Sequence, residues 1–375
     1  MFADQYAGRR VFLTGHTGFK GFWLTAWLLE LGAEVAGFSI DIPTSPSGFA
    51  ALGLEKRIRH MEGDVRDRAS LCRALEDFAP EAVFHLAAQP LVRRSFDDAA
   101  ATFESNAMGT LNMLEAVRAT PSVKALVLIT SDKCYRNDEW VFGYRENDHL
   151  GGNDPYSASK ACAEIIAHSY CQSFFRQGPL TATARAGNVI GGGDWAEDRI
   201  VPDCVRAWAA GKAALLRNPG STRPWQHVLE PLSGYLWLGA LFLGGARARD
   251  GFALHGEAFN FGPAANVRAP VAALAAGLGA YWPGFAARYA PDEDETRTEH
   301  GLLKLCCDKA LAHLGWKPAL SFEDCLRLTA EWYVRYYALQ GKSLEMSGAA
   351  MYACTLEQIA SYCAQAERGK LSWLC

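Results

Sequence analysis

The stretch Gly15-His16-Thr17-Gly18-Phe19-Lys20-Gly21 constrains the fold more than any other part of this 375-residue chain. Val11 to Thr14, before it, reads as a buried strand. Phe22 to Leu31, after it, carries apolar side chains at helical spacing, with Gly32 as a stop signal. A strand, a glycine-rich turn and a helix in that order let the backbone turn tightly and approach a pyrophosphate at the helix N-terminus. A chain that begins this way is expected to hold a dinucleotide. It then also needs a ribose ligand, a hydride-transfer site and a substrate pocket.

Strand and helix patterns alternate through the first half. Apolar runs at Val35 to Ile40, His60 to Glu62, Ala82 to Leu86, Leu126 to Thr130 and Leu180 to Ala186 read as strands. Helical patterns cover Arg68 to Phe78, Asp97 to Ala119 and Tyr156 to Phe175. Right-handed crossovers turn this into an α/β fold, a doubly wound parallel-sheet Rossmann domain. After Arg185 the texture changes to loops, short helices and extended runs, which predicts a smaller mixed α/β substrate-binding lobe. The expected division is 1–188 for the dinucleotide domain, with 227–262 returning to it. Segments 189–226 and 263–340 form the lobe, and 341–375 is a helical appendage whose clearest helix is Leu356 to Glu367.

Pro231 to Ala246 is apolar and uncharged but shorter than the ~20 residues of a membrane-spanning helix, so it reads as a buried helix. Ala269 to Ala287 is interrupted by Pro283 and by glycines, and Pro291 to Glu295 reads as an acidic surface loop. The N-terminus reaches Asp4, Gln5, Arg9 and Arg10 at once, so no secretory leader is expected. A net charge of -4 gives no global attraction to nucleic acid or an anionic membrane. Eleven cysteines with no C-x-x-C pair suggest reduced thiols in a cytoplasmic protein and no metal site. Cys134 is the one thiol close to the chemistry described next.

Asp41 lies twenty residues beyond Gly21, at the end of the second strand. A carboxylate there accepts hydrogen bonds from a ribose diol and repels a 2′-phosphate, which favours NAD over NADP. Lys20 and His16 are placed near the pyrophosphate. Tyr156 and Lys160 stand at i and i+4 on one helix face. A neighbouring ammonium and an oxidised nicotinamide both favour phenolate, so Tyr156 can remove a hydroxyl proton near neutral pH. Ser131 follows the fifth strand, where strand ends face the ligand crevice, and can hydrogen-bond the same oxygen. Asp132 and Lys133 come next. An acid and a base at that edge exceed what hydride transfer alone requires, although an exposed loop ion pair would look the same and contribute little.

Together, Thr14-Gly15-x-x-Gly18-Phe19-x-Gly21, His85-Leu86-Ala87-Ala88, Ser131 and Tyr156-x-x-x-Lys160 resemble the extended short-chain dehydrogenase/reductase superfamily. More narrowly, the chain is similar to the CDP-glucose 4,6-dehydratase family within it. The runs that carry the narrower resemblance are Gly15 to Gly21, Gln89 to Ser95, Thr130 to Tyr135, Ala184 to Trp195 and Arg223 to Pro231.

The resemblance implies an internal redox cycle on a nucleotide sugar. The sugar is oxidised at C4, loses water across C5–C6 and is reduced at C6, giving CDP-4-keto-6-deoxy-glucose from CDP-glucose. Ser131, Asp132, Lys133, Tyr156 and Lys160 are the implied catalytic set, with Asp132 as acid and Lys133 as base. In related dTDP-glucose dehydratases a Glu stands where this chain has Lys133. The implied NAD contacts are Gly15, His16, Gly18, Phe19, Lys20, Gly21, Asp41, Asp64, Val65, Leu86, Ala87, Ala88, Tyr156 and Lys160. The implied substrate contacts are Gln89, Arg94, Asn188, Gln226 and His227. Charge alone nominates Arg199, Arg206, Arg217 and Arg223 for the sugar nucleotide's pyrophosphate. His227 taken by itself reads more often as structural than as a ligand contact. The alternatives are a 4,6-dehydratase or 4-epimerase acting on another nucleotide sugar, and a nucleotide-fold binding protein. The resemblance also suggests a homodimer or homotetramer built from the helices around Asp97 to Ala119 and Tyr156 to Phe175.

Overall fold

The computed structural model describes residues 1–245, 248, 250–264, 267–283, 285–289 and 302–374. The acidic stretch Pro291 to Glu295 lies outside the described residues, as do Ala246, Gly284 and Cys375.

Six apolar runs become β1 (Arg10–Thr14), β2 (Glu34–Ser39), β3 (Arg59–Glu62), β4 (Ala82–His85), β5 (Ala125–Ile129) and β6 (Leu180–Arg185). Shorter strands follow: β7 (Val189–Ile190), β8 (Ala214–Leu216), β9 (Thr222–Arg223), β10 (Gln226–His227), β11 (Ala258–Asn260), β12 (Ala269–Pro270) and β13 (Ala287–Tyr289). The helices are α1 (Phe19–Glu30), α2 (Gly48–Ala51), α3 (Arg68–Phe78), α4 (Val92–Asp97), α5 (Ala99–Phe103), α6 (Gly109–Arg118), α7 (Pro155–Ser173), α8 (Ile200–Ala209), α9 (Leu229–Leu243), α10 (Val271–Gly279), α11 (Phe322–Ala338) and α12 (Leu344–Arg368).

A seven-stranded parallel sheet runs in the order β11-β6-β5-β4-β1-β2-β3. The remaining short strands pair as β7 with β10, β9 with β12 and β8 with β13. Both faces of the central sheet are covered, which is why β5 is apolar at every position rather than at alternate ones. On β1, Phe12 packs with Leu71, Leu75, Met113 and Val117 of α3 and α6. Its neighbours Val11 and Leu13 belong to the opposite core with α1 and α9. That split follows from the period-two alternation of a strand. Strand order reverses between β1 and β4, so the crevice for a ligand opens at their C-terminal ends.

Two helical expectations change. The pattern from Asp97 to Ala119 is not one helix. Asp98 leaves helical geometry and its carboxylate accepts from the Ala101 N–H, starting α5 afresh. A π-helical turn at Glu104–Met108 then re-aims Asn106 inward. The C-terminal helix is also longer than Leu356 to Glu367. Ser343 caps it by accepting from the Met346 N–H, and it runs twenty-five residues. It lies on α1, α2 and α11. Trp373 beyond it stacks on Tyr362 and Phe2 and meets Trp27 edge-on. Helix α1 is therefore covered by the sheet on one side and by α12 on the other. This accounts for its apolar residues all round, including Trp23, Leu24, Trp27 and Leu28. No helix among the described residues is long and apolar enough to cross a membrane.

Candidate active site

The first turn after β1 is a cradle that only glycine fits. Gly15 has φ +71°, and a Cβ there would lie 2.7 Å from the Ala87 nitrogen. A Cβ on Gly21 would lie 2.1 Å from the Gly15 carbonyl oxygen. Gly18 is the N-cap of α1, with no side-chain cap and no acidic residue in the first turn. The leading N–H groups of α1 are thus left for an anion, and the helix dipole favours one. Asp41 is exposed just past β2, and its carbonyl accepts from the Thr17 hydroxyl at 2.7 Å. Leu86, Ala87 and Ala88 follow β4 across the crevice, half-buried. Val65 is buried against Gly109, and Asp64 pairs with Arg66 at 2.7 Å. These features fit a dinucleotide: a capless helix end for the phosphates and a carboxylate for the ribose.

The reactive groups gather at the end of β5. Ser131, Asp132 and Lys133 form a tight turn in which the Ser131 hydroxyl accepts from the Lys133 N–H at 3.2 Å and donates to Asp132 Oδ1 at 3.1 Å. Asp132 is buried and lies against Gly187, just past β6. Lys133 is half-buried. Asp154 caps α7, Pro155 fills its first turn, and Tyr156 follows with its N–H donating to Ser95 Oγ at 3.2 Å. Burial pushes the Tyr156 phenol up to about 12, while a side-chain hydrogen bond with Ser131 opposes the rise. One turn on, the Lys160 ammonium donates to the Ile129 carbonyl at 3.3 Å, and burial pulls it down to about 8 against the opposing charge of Glu164.

Beneath this layer lies a buried ion pair that sequence reasoning missed. Arg185, at the end of β6, donates to both carboxylate oxygens of Glu164 at 2.9 and 2.8 Å. Burial works against the Glu164 carboxylate. Arg185, with the hydroxyls of Thr130 and Thr183, outweighs it and holds the group below the usual range. Arg185 also donates to the Tyr135 hydroxyl and the Glu146 carbonyl. The available signal was spacing: Glu164 stands four residues after Lys160, on the same helix face.

Most of the other expected contacts have partners within the protein. The His16 ring turns inward, bonded to Ser39 at 2.8 Å and His60 at 2.7 Å, and burial with the neighbouring His60 charge lowers it to about 3. Lys20 reaches along the cleft to the Tyr235 hydroxyl at 3.4 Å. Burial lowers it to about 8, with Asp132 opposing and Arg199 and Lys160 adding to the fall. Tyr235, a buried residue of α9, was not singled out from the sequence. Gln89 is spent on its own loop, bonding Leu91 and Thr102, and its N–H is held by Asn106. Asn106 also donates to Ser159, tying that loop to α7. Arg94 is exposed in the last turn of α4. Asn188 adopts φ +52° and its carbonyl accepts from the Gln226 N–H. Gln226 is buried, donating to the Gly187 and Phe261 carbonyls. His227 is fully buried, edge-on to Trp23, and burial lowers it to about 3. Arg199 pairs with Asp194 at 2.9 Å and Arg217 with Asp198 at 3.1 Å. Arg206 is engaged with Asp203 and the Trp195 carbonyl, and Arg223 donates to the Thr222 carbonyl. Cys134 is buried, and burial pushes its thiol well up, away from nucleophilic use.

The sequence profile of the GDP-mannose 4,6 dehydratase family matches residues 12–329. The CDP-glucose 4,6-dehydratase of Salmonella typhimurium is 43% identical over 364 residues, covering 95% of this chain and 97% of that protein. Among solved structures, the chain is similar to DesIV, a dTDP-glucose 4,6-dehydratase from Streptomyces venezuelae with NAD and TYD bound. That likeness has a TM-score of 0.72 and 25% identity over 87% of this chain and 97% of that one. It is also similar to a UDP-glucose 4-epimerase from Thermus thermophilus in complex with NAD, with a TM-score of 0.71 and 26% identity over 87% and 99% of the two chains.

Proposed function

The chain belongs to the GDP-mannose 4,6 dehydratase family, and from that membership we propose that it converts CDP-D-glucose to CDP-4-keto-6-deoxy-D-glucose, with NAD as its cofactor, to supply deoxysugar biosynthesis in the cytoplasm. The observation that carries this reading is the placement of Asp132 and Lys133 beside Ser131 and near Tyr156, read with the near full-length likeness to a CDP-glucose 4,6-dehydratase. An epimerase has no use for an acid and a base at C5–C6.

Bound at the Gly15 to Gly21 turn, NAD supplies the hydride acceptor at C4 and the donor at C6, and ends unchanged. The residues supply the proton chemistry. Tyr156 takes the O4 proton, Ser131 holds O4, and Lys160 keeps positive charge beneath them. The 4-ketone acidifies C5. Lys133 removes that proton and Asp132 protonates the C6 hydroxyl, so water leaves. In this reading the Asp41 carboxylate receives the adenosine ribose, and Arg94, Asn188, Arg199, Arg217 and Arg223 hold the nucleotide sugar. Residues 1–188 with 227–262 act as the cofactor domain, 189–226 with 263–340 as the substrate lobe, and 341–375 as the appendage. Exposed Phe96, Met108, Ile165 and Phe174 on the helices from α4 to α7 suit a second copy of the chain, giving a homodimer or a tetramer of such pairs.

The test is a panel of CDP-, dTDP-, GDP- and UDP-hexoses with product identification. The expected result is a 4-keto-6-deoxy product from CDP-glucose. Unaltered CDP-glucose with another nucleotide sugar consumed would overturn the substrate assignment, and a C4 epimer as product would overturn the reaction.

A further inference from the structure

On the reading proposed above, on which this inference rests, one short turn presents both groups of the elimination. Asp132 and Lys133 occupy the tight turn between β5 and the loop that leads to α7. The turn's own bonds are long. The Lys133 N–H reaches Ser131 Oγ at 3.2 Å, the Cys134 N–H reaches the Ser131 carbonyl at 3.3 Å, and the Tyr135 N–H reaches the Asp132 carbonyl at 3.4 Å. These lie at or beyond the outer limit of the usual range, so they hold the turn weakly. Its upstream end is fixed by β5: the Thr130 N–H donates to the Ala184 carbonyl at 3.0 Å, and the Thr130 hydroxyl donates to Glu164. Ser131 is therefore set by the sheet, and Tyr156 and Lys160 by α7. Asp132 and Lys133 depend also on the downstream end, which is Tyr135.

Tyr135 is only 1% exposed, and its ring stacks on Tyr144 with centroids 5.3 Å apart. Phenylalanine would stack as well, so the ring does not account for the hydroxyl. That hydroxyl accepts from Arg185 Nη1 at 2.8 Å and donates to Asn260 Oδ1 at 2.7 Å. The direction of both bonds is fixed. A guanidinium can only donate. The Asn260 amide nitrogen is occupied by the Tyr144 and Cys306 carbonyls, which leaves its oxygen facing Tyr135. Both partners stand at the ends of sheet strands, β6 and β11, and Arg185 is itself pinned by Glu164. The Gly151 N–H also holds the Cys134 carbonyl at 2.9 Å, but Gly151 lies in the loop ahead of α7 and not in the sheet.

We propose that Tyr135 is a positioning residue for the elimination: its hydroxyl, held between Arg185 and Asn260, ties the turn that carries Asp132 and Lys133 to the sheet, so that loss of water depends on it and C4 oxidation does not. Tyr135 acts through the turn and moves no proton of its own.

The test compares kinetic isotope effects on kcat with substrate deuterated at C4, which report hydride transfer, and at C5, which report proton loss. Tyr135→Phe keeps the ring and loses the hydroxyl. It should lower kcat about ten- to hundredfold, the scale of an ångström's misplacement of a reacting group. The C5 effect should rise and the C4 effect should shrink. Reduced nicotinamide should build up in single turnovers, because oxidation then outruns elimination. Rates are counted per bound NAD, so a loss of folded protein moves neither isotope effect. Tyr144→Phe removes a hydroxyl from the same stack, one that bonds Asn137 and the Asp138 N–H, and should match the parent throughout. Asn260→Ala breaks the Tyr135 bond from its other side and gives the same readout should Tyr135→Phe not fold. Parental isotope effects in the folded variant, or both steps slowed by one factor, mean that Tyr135 serves stability alone and overturn the proposal. A Tyr144→Phe that shifts the effects as Tyr135→Phe does also overturns it, by assigning them to the stack. The series runs on whichever nucleotide hexose the parent dehydrates, so the outcome is independent of the base. A parent that dehydrates none overturns the function proposed above as well.

Discussion

Gly187 has no side chain because Asp132 occupies the space: a Cβ built there would lie 1.8 Å from Asp132 Oδ2. The contact is with a carboxylate held in a tight turn, so relief would come from moving the acid. Gly187 has no positive φ, so alanine there introduces no backbone strain. Gly187→Ala should therefore fold and bind NAD like the parent while losing about 100-fold in kcat, the scale expected for misplacing a catalytic group by an ångström. Equilibrium NAD binding alongside turnover checks this, and a variant with parental kcat would show that Asp132 tolerates displacement. The same residue scale shows what sequence can and cannot reveal. Tyr156, Lys160 and Ser131 are legible because their spacing is local to one helix or one strand end. Tyr235 is not, since it meets Lys20 across 215 positions of chain. His16 and His227 sit in motif-like runs, yet their rings are filled by core partners that only the folded sheet provides.

At the scale of elements, β5, β6 and α7 are joined by the buried Glu164–Arg185 pair rather than by apolar contact alone. Breaking one member leaves the other charged and unsolvated. Glu164→Gln should cost about 3 to 5 kcal/mol in denaturant unfolding. The double variant Glu164→Gln/Arg185→Met should recover part of that loss, because the stranded guanidinium is gone. Equal stability of the single and double variants would show that the pair does not act as a unit. The elements themselves were largely legible. Strands covered on both faces announce themselves as unbroken apolar runs, and α3 reads correctly from Arg68 to Phe78. The stretch from Asp97 to Ala119 was not, because apolar periodicity survives a cap at Asp98 and a π turn at Glu104–Met108. Only the partners of Asn106 reveal that break. The length of α12 was hidden for a different reason: in Ser343 to Ala350 the two large apolar residues, Leu344 and Met346, are exposed and the rest are small or polar, so the stretch carries little periodic signal.

The whole molecule is closed by one carboxylate. Glu230, at the start of α9, accepts from the Ala319 and Leu320 N–H groups and from the Tyr362 hydroxyl of α12. It thus binds the helix behind the cleft, the segment leading into α11, and the C-terminal helix that covers α1. Ser233 and Trp316 complete the pocket, and Cys325 of α11 lies close by. Burial raises the Glu230 carboxyl from 4.5 to about 7, although its three donors oppose the rise. Between those values the native protein keeps a proton that the unfolded chain has released. The stability tied to this group is complete below about pH 4.5 and is lost as pH rises to about 7, at most about 3 kcal/mol over the window. Glu230→Gln cannot ionise, so its stability should lack this component. Urea unfolding of the two proteins across that range should show the parent losing ground to the variant as pH rises. A difference between them that stays constant with pH would mean that Glu230 is already ionised in the native state.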